Sequence, residues 1–223
     1  MQLIVPPKQV FSAASGRMGE GSLIAIKLAL QAFGKPVLVF GNSCAVYSQN
    51  MNYPSVIASD PLSVARGIAR ASHHGVIAFL GPSEAALLGS MENISEDIVC
   101  ICLDTDPARQ RARSKKAKYC ATASVAFPED YMKKLLKCKS RTGLRFLDVH
   151  CPSPKSWGFD HSNTIEVASA AVNCGVWQLL ECEGTSWAVT QKPDSHETVE
   201  TYVKLFQKSL DVEMLKKIAA ENM

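Results

Sequence analysis

Gly75–Gly81, GVIAFLG, and Ile98–Leu103, IVCICL, are short apolar runs with no charged residue inside them. Each is too short for a typical helix and carries β-branched residues, as a strand buried on both faces must. Lys35–Asn42, KPVLVFGN, has the same character. Helical patterns separate these runs. Glu20–Phe33 places apolar residues at helical spacing, and Gly34 follows as a stop signal. Pro61–Ser72 and the shorter Glu84–Met91 read as helices, and Tyr119–Thr122 as a short strand. Phe127–Lys139 is an amphipathic helix whose first turn, Pro128-Glu129-Asp130, suits the positive end of the helix dipole. Leu144–Cys151, LRFLDVHC, is a further strand, and Ile165–Asn173 a helix capped from Ser162 or Asn163. A late hairpin over Trp177–Cys182 and Trp187–Thr190 turns at Glu183-Gly184, before a polar helix in one or two pieces over His196–Asn222. Strands alternating with helices predict an α/β fold, a doubly wound and mostly parallel sheet with helices on both faces.

The chain has 223 residues, 47% of them hydrophobic, enough for one α/β unit with a substantial core. The expected organisation is a single unit over 1–223, with 195–223 as a C-terminal helical extension. No apolar run reaches the roughly 18 residues that span a bilayer. The start, MQLIVPPKQVF, lacks a basic segment ahead of a long apolar one, so no secretory signal is read there. A net charge of +3 from 24 basic and 21 acidic residues is too balanced to make nucleic acid the expected partner.

Eight cysteines occur without any C-x-x-C. Several sit inside apolar runs, which points to reduced thiols and a cytoplasmic location. Cys100 and Cys102 are spaced to share one face of a strand, where two small core side chains are expected.

In the second half, Ala121–Asp130 reads ATASVAFPED, Cys151–Asp160 reads CPSPKSWGFD, and Thr164–Trp177 ends in a turn before tryptophan. In this order, with the strand Leu144–His150 between the first two, they resemble the thiamine-diphosphate-binding (beta) subunit of the 2-oxoacid:ferredoxin oxidoreductases, the pyruvate synthase family. The resemblance extends upstream through IAIKLALQAFGK, VLVFGNSCAVYS and IVCICLD, over a chain shorter than that family's by some tens of residues. It implies a thiamine-diphosphate-type fold. It also implies alpha-like and gamma-like partner chains, a homodimer through the sheet, and ferredoxin as electron acceptor if the chain is active.

The departures bear on function. The family's metal-diphosphate site uses an Asp in a G-D-G turn and an Asn after the next strand, hard oxygen ligands of the kind that magnesium takes. Here the corresponding cofactor positions are Gly81, Ser83, Asp104 and Thr105, with Pro82 where the Asp is expected and Thr105 where the Asn is. Glu84 and Asp106 are the nearby carboxylates that stand in reach of substitution. The family's four-iron cluster takes four thiolates. Cys44 and Cys151 match two of these metal positions, while Ser15–Glu20 holds no cysteine where a C-x-x-C is expected. No catalytic residue is assigned. The expectation is a degenerate beta-like subunit, structural or regulatory, carrying no cofactor of its own. If the family function were retained, thiamine diphosphate, Mg and a 4Fe-4S cluster would be bound. The chain would then oxidatively decarboxylate a 2-oxoacid such as pyruvate to an acyl-CoA. A third reading is an anion- or nucleotide-binding module built on Gly81–Glu84 and the basic run Arg109–Lys118.

Three weaker features complete the reading. Gly16-Arg17-Met18-Gly19-Glu20-Gly21 resembles a phosphate-cradling loop but reads more simply as a turn opening a helix. His150 and Cys151 are adjacent in a strand and so point to opposite faces, which argues against a nucleophile–base couple. Trp157 is expected to anchor the loop that crosses the strand ends.

Overall fold

A computed structural model describes residues 19–49, 51–72, 74–89, 94–106, 117–184, 186–193 and 196–222. In chain order the strands are β1 (Val37–Gly41), β2 (Ser55–Ala58), β3 (Val76–Leu80), β4 (Ile98–Asp104), β5 (Tyr119–Ser124), β6 (Leu144–His150), β7 (Leu179–Glu183) and β8 (Ser186–Gln191). They form one sheet in the order β2-β1-β3-β4-β6-β5-β7-β8. The six strands from β2 to β5 run parallel, and the hairpin β7–β8 adds to β5 antiparallel. Every residue of β3, β4, β5 and β6 is buried. Strands covered on both faces have no solvent side, which is why they read as unbroken apolar runs. The doubly wound fold expected from the alternation of runs is the one found.

Helices cover both faces. α1 (Gly21–Phe33) and α4 (Pro128–Lys139) pack on one face over Phe40, Phe79, Ile101 and Leu147. α2 (Pro61–Ala71) lies on the other face over Val39, Ala78 and Cys100, beside α3 (Pro82–Ala86). A third core gathers α5 (Pro154–Trp157), α6 (Thr164–Asn173), α7 (Val199–Val203) and α8 (Val212–Asn222) around Trp157, Trp177, Tyr202 and Phe206. Trp157 stacks edge-on against Phe206 at 4.6 Å, so it anchors the crossing loop as expected.

Some elements differ from the sequence reading. β2 was not expected: it is a four-residue edge strand with exposed Val56 and Ile57, and its sequence shows no alternation. The helix expected from Glu84 starts at Pro82 and passes into a 3-10 turn at Leu87–Gly89; Met91 lies outside the described residues. Asn163 is the N-cap of α6, but neither its side chain nor that of Ser162 caps the helix. The Thr164 hydroxyl donates instead to the carbonyl of Gly19.

One buried charge ties α4 to the far side of the sheet. Lys134 is 1% exposed. Its Nζ donates to Asp130 Oδ2 at 2.5 Å, the Thr122 carbonyl at 2.8 Å and Thr190 Oγ1 at 2.6 Å. An ammonium has three protons, and here three acceptors from α4, β5 and β8 receive them. Burial holds its pKa below the usual lysine value despite Asp130. Asp130→Ala leaves this cation among neutral acceptors and is expected to cost about 3 kcal/mol or more. Urea unfolding checks this, and the double substitution Asp130→Leu/Lys134→Met should recover most of the loss.

Candidate functional site

The strand order places β2 and β3 on opposite sides of β1, so the connections leaving β1 and β3 part at the carboxyl ends of those two strands. This is the switch point where open α/β sheets form their ligand crevice. Two loops face each other there. One runs from Gly41 into a 3-10 helix at Asn42–Ser48, and the other from Gly81 into α3. The crevice between them is filled by a side chain of the protein. Glu84 Oε1 accepts the Ser43 N–H at 3.0 Å, and Oε2 accepts the Gly81 N–H at 2.6 Å. The Ser43 hydroxyl donates to Oε2 as well.

Local sequence explains the placement. Glu84 is the third residue of α3, the position from which a carboxylate reaches back to the N-cap amide. Gly41 and Gly81 let the two loops close on it. A Cβ on Gly41 would stand 2.5 Å from the Glu84 carboxyl carbon, and a Cβ on Gly81 would collide with the Ser43 side chain. Glu84 is 9% exposed, and its charge is met by two amides and a hydroxyl drawn from both loops. The arrangement is an oxyanion nest occupied by the chain's own anion.

The cofactor and metal positions expected from the sequence, Gly81, Ser83, Asp104, Thr105, Cys44 and Cys151, lie at or just past the carboxyl ends of β1, β3, β4 and β6. Gly81 is part of the nest, while Ser83 is exposed on α3. Asp104 ends β4, buried; its Oδ1 accepts the Asp106 N–H at 2.8 Å and its carbonyl accepts the Cys151 N–H at 2.8 Å. Thr105 follows, half-buried. Glu84, weighed as a substitute metal ligand, is turned inward onto the nest.

Cys44 and Cys151 are buried in the core cluster beneath α1. Burial pushes the Cys44 thiol up to about 12, and it pushes Cys151 well above the ordinary thiol range. The Cys151 thiol donates to the Val149 carbonyl at 3.1 Å. The first turn of α1 rests directly on this segment. Gly21 donates its N–H to the Pro152 carbonyl at 3.2 Å, and a Cβ there would stand 2.9 Å from Cys151 Cα. Beside it, Glu20 Oε1 accepts from Ser153 Oγ at 3.1 Å, while its buried Oε2 has no partner among the described residues. Gly16–Met18 of the glycine-rich turn and residues 109–116 of the basic run lie outside the described residues.

One grouping escaped the sequence reading. Cys102 and Asp104 on β4 and Asp148 on β6 place their ligand atoms within 4.8 Å of one another, all buried. The register pairs Cys102 with Asp148 and Asp104 with His150. Same-face spacing within each strand was legible, but the pairing that joins the strands was not. The Cys102 thiol hydrogen-bonds Asp148, and burial, aided by both carboxylates, raises its pKa well above the ordinary value. The donor set, one thiol and two carboxylates, is chemically able to hold a divalent cation. His150 lies next in register, fully buried and stacked on Trp177 at 5.1 Å. Neither imidazole nitrogen has a hydrogen-bond partner among the described residues. Burial holds its pKa down at about 3, so it is neutral and not paired with Cys151.

No protein-family model matches the chain. Pyruvate synthase subunit PorB of Methanothermobacter thermautotrophicus is 28% identical over 256 aligned positions, spanning 88% of this chain and 88% of its own length. Since 88% of 223 residues is about 196, about 60 of those positions in the relative have no counterpart here, in line with the shortness read from the sequence. Ketoisovalerate oxidoreductase subunit VorB of Pyrococcus abyssi is 33% identical over 110 positions, spanning 46% of this chain and 35% of its own. The solved structure of 2-oxoglutarate:ferredoxin oxidoreductase from Magnetococcus marinus, with 2-oxoglutarate, coenzyme A and succinyl-CoA bound, matches with TM-score 0.54 at 12% identity. The match covers 90% of each chain. At that identity the likeness is one of fold.

Two outcomes are expected from substitutions at this edge. Glu84→Ala strips the Ser43 and Gly81 amides of their acceptor and should lower the free energy of unfolding by about 1–3 kcal/mol. His150 has a folded pKa depressed from 6.5 to about 3. Between those values the unfolded chain binds a proton that the folded one refuses, so its contribution is full above pH 6.5 and is lost as pH falls toward 3. His150→Phe keeps the stacking and should flatten that limb of a stability–pH curve measured by urea titration.

Proposed function

The chain is a beta-like member of the 2-oxoacid:ferredoxin oxidoreductase family, and we propose that it serves there as a structural or regulatory subunit whose own cofactor site is closed. The observation that carries this is Glu84. Its carboxylate takes the hydrogen bonds at the switch point that an incoming phosphate oxygen would need, and it repels any anion brought beside it. The residues around it do not fit a magnesium-held diphosphate. Pro82 offers no ligand atom in its side chain, Thr105 stands in place of an amide, and Glu84 is committed to backbone amides. Nor do they fit a four-iron cluster: two matching thiols remain, burial keeps both protonated, and the α1 backbone lies against Cys151.

What remains is a scaffold with surfaces for neighbours. The relatives are named as subunits, and this chain in turn is read as one part of a complex with alpha-like and gamma-like chains, in the cytoplasm. Among the described residues no helix is long and apolar enough to cross a membrane. Both sheet edges carry exposed apolar side chains, Ile57 on β2 and Trp187 and Val189 on β8, suited to cover by another subunit. The reading of an active subunit rests on the identity to PorB and would need ligands other than those the family's motifs supply.

The deciding experiment is native mass spectrometry of the full chain, purified anaerobically from its own host. The expected spectrum contains partner chains with neither thiamine diphosphate nor iron on this subunit. Thiamine diphosphate with a metal, stoichiometric with this chain, would overturn the reading. Restoring an acid at the G-D-G position by Pro82→Asp should not confer thiamine diphosphate binding, because Glu84 still fills the nest.

A further inference from the structure

Across one face of the sheet the register sets a row of side chains. Cys100 on β4 stands opposite Phe146 on β6, Phe146 opposite Cys120 on β5, Cys120 opposite Cys182 on β7, and Cys182 opposite Trp187 on β8. One step of this row sets a thiol directly beside a thiol. Cys120 and Cys182 share the same core cluster, so both side chains lie on one face.

The spacing suits a covalent bond. Directly opposed residues of an antiparallel pair have Cα atoms about 4.5–5.5 Å apart, inside the range of about 4.4–6.8 Å that a disulfide takes. Their Cβ atoms, about 4.5–5.5 Å apart, stand within about 1 Å of disulfide separation. The neighbouring thiols are worse placed. Cys100 is two strand spacings from Cys120, about 10 Å, and Cys138 belongs to the core on the other face. Cys182 is also the most accessible of the eight cysteines, at 8% exposed. Its thiol donates to the Gly184 carbonyl in the hairpin turn at 3.5 Å. Beyond it lies only β8, the outermost strand, with four of its six residues exposed. Fraying of such an edge strand admits a small reagent. The bond would fall where the architecture changes, because β5 and β7 pair over just three positions and join the antiparallel hairpin to the parallel sheet.

We propose that Cys120 and Cys182 form a redox latch, which a small disulfide such as oxidised glutathione closes and so fastens the hairpin β7–β8 to β5. The Cys182 thiol gives up its proton and attacks one sulfur of the small disulfide; that S–S bond breaks, and one glutathione thiol leaves with a proton. The Cys120 thiol then attacks the Cys182 sulfur of the mixed disulfide and releases the second glutathione thiol. Two protein thiols are oxidised to one disulfide, and one small disulfide is reduced to two thiols. In a reducing compartment such a bond is transient, as sensing disulfides are. The latch rests on the β5–β7 register and is independent of the closed cofactor site.

The test treats the reduced, folded full chain with millimolar oxidised glutathione, without denaturant. Thiol titration should show the loss of two of the eight thiols, and peptide mapping should find Cys120 joined to Cys182 with no glutathione retained. Dithiothreitol should restore both. Hydrogen exchange of the β7 and β8 amides should slow about tenfold in the oxidised form. Cys182→Ser, at the sheet edge where folding is not at risk, should lose no thiol under the same treatment. Cys120→Ala should instead trap glutathione on Cys182. Four results would each overturn the proposal: all eight thiols persisting, a bond that maps to another pair, a bond that forms only in urea, or a bond that leaves hairpin exchange unchanged.

Discussion

Burial on both faces of β3, β4, β5 and β6 is the constraint from which the rest of the structure follows. A strand with no solvent side cannot leave a polar group to water, so a polar residue carried into the sheet either finds an internal partner or, like the neutral imidazole of His150, stays buried at a cost. Lys134 finds three acceptors on three elements. Trp177 donates its indole N–H to the Ala123 carbonyl at 3.0 Å. Thr122 accepts the Leu180 N–H and donates to the Gln178 carbonyl, joining β5 to the start of β7 where the ladder is irregular. These bonds hold the antiparallel hairpin and the C-terminal helices onto a parallel sheet that the apolar runs build.

The same constraint acts at the switch point with a different outcome. The amides of Ser43 and Gly81 face a crevice where other proteins of this architecture place a ligand. In this chain a tethered carboxylate reaches them first. A group tethered to one of the two facing loops competes with free anions at a high effective concentration. Closure needs an acid at the third position of α3 and glycines at 41 and 81 to admit it, and it forms where the pairing of β1 with β3 brings the two loops together.

The thiols follow the same physics. All eight cysteines are buried and none forms a disulfide. Burial penalises the thiolate, the form that ligates metals and attacks electrophiles. Cys44 and Cys151, which the resemblance read from the sequence would make cluster ligands, are small core side chains under α1. Cys102 is grouped with Asp104 and Asp148 so that the three ligand atoms lie within 4.8 Å of one another, which brings a mixed donor set into the sheet interior.

What the sequence determined by itself is the architecture. Apolar runs, helical spacing and turn signals located every interior strand, most helices and the late hairpin, because those elements are set by local burial and period. The resemblance to a family, carried by motifs legible in the sequence, singled out Cys44, Gly81, Asp104 and Cys151, and the parallel strands bring these positions to one carboxyl edge. β2 went unread because four residues, three of them exposed, leave no pattern. The state of the site was decided only by tertiary structure. That Glu84 turns inward, that Gly21 lies on the backbone of Cys151, and that Cys102 meets Asp148 depend on strand order and register between segments distant in the chain. A linear sequence does not encode that pairing in any local period; it emerges when the sheet closes and buried polar groups select the partners left within reach.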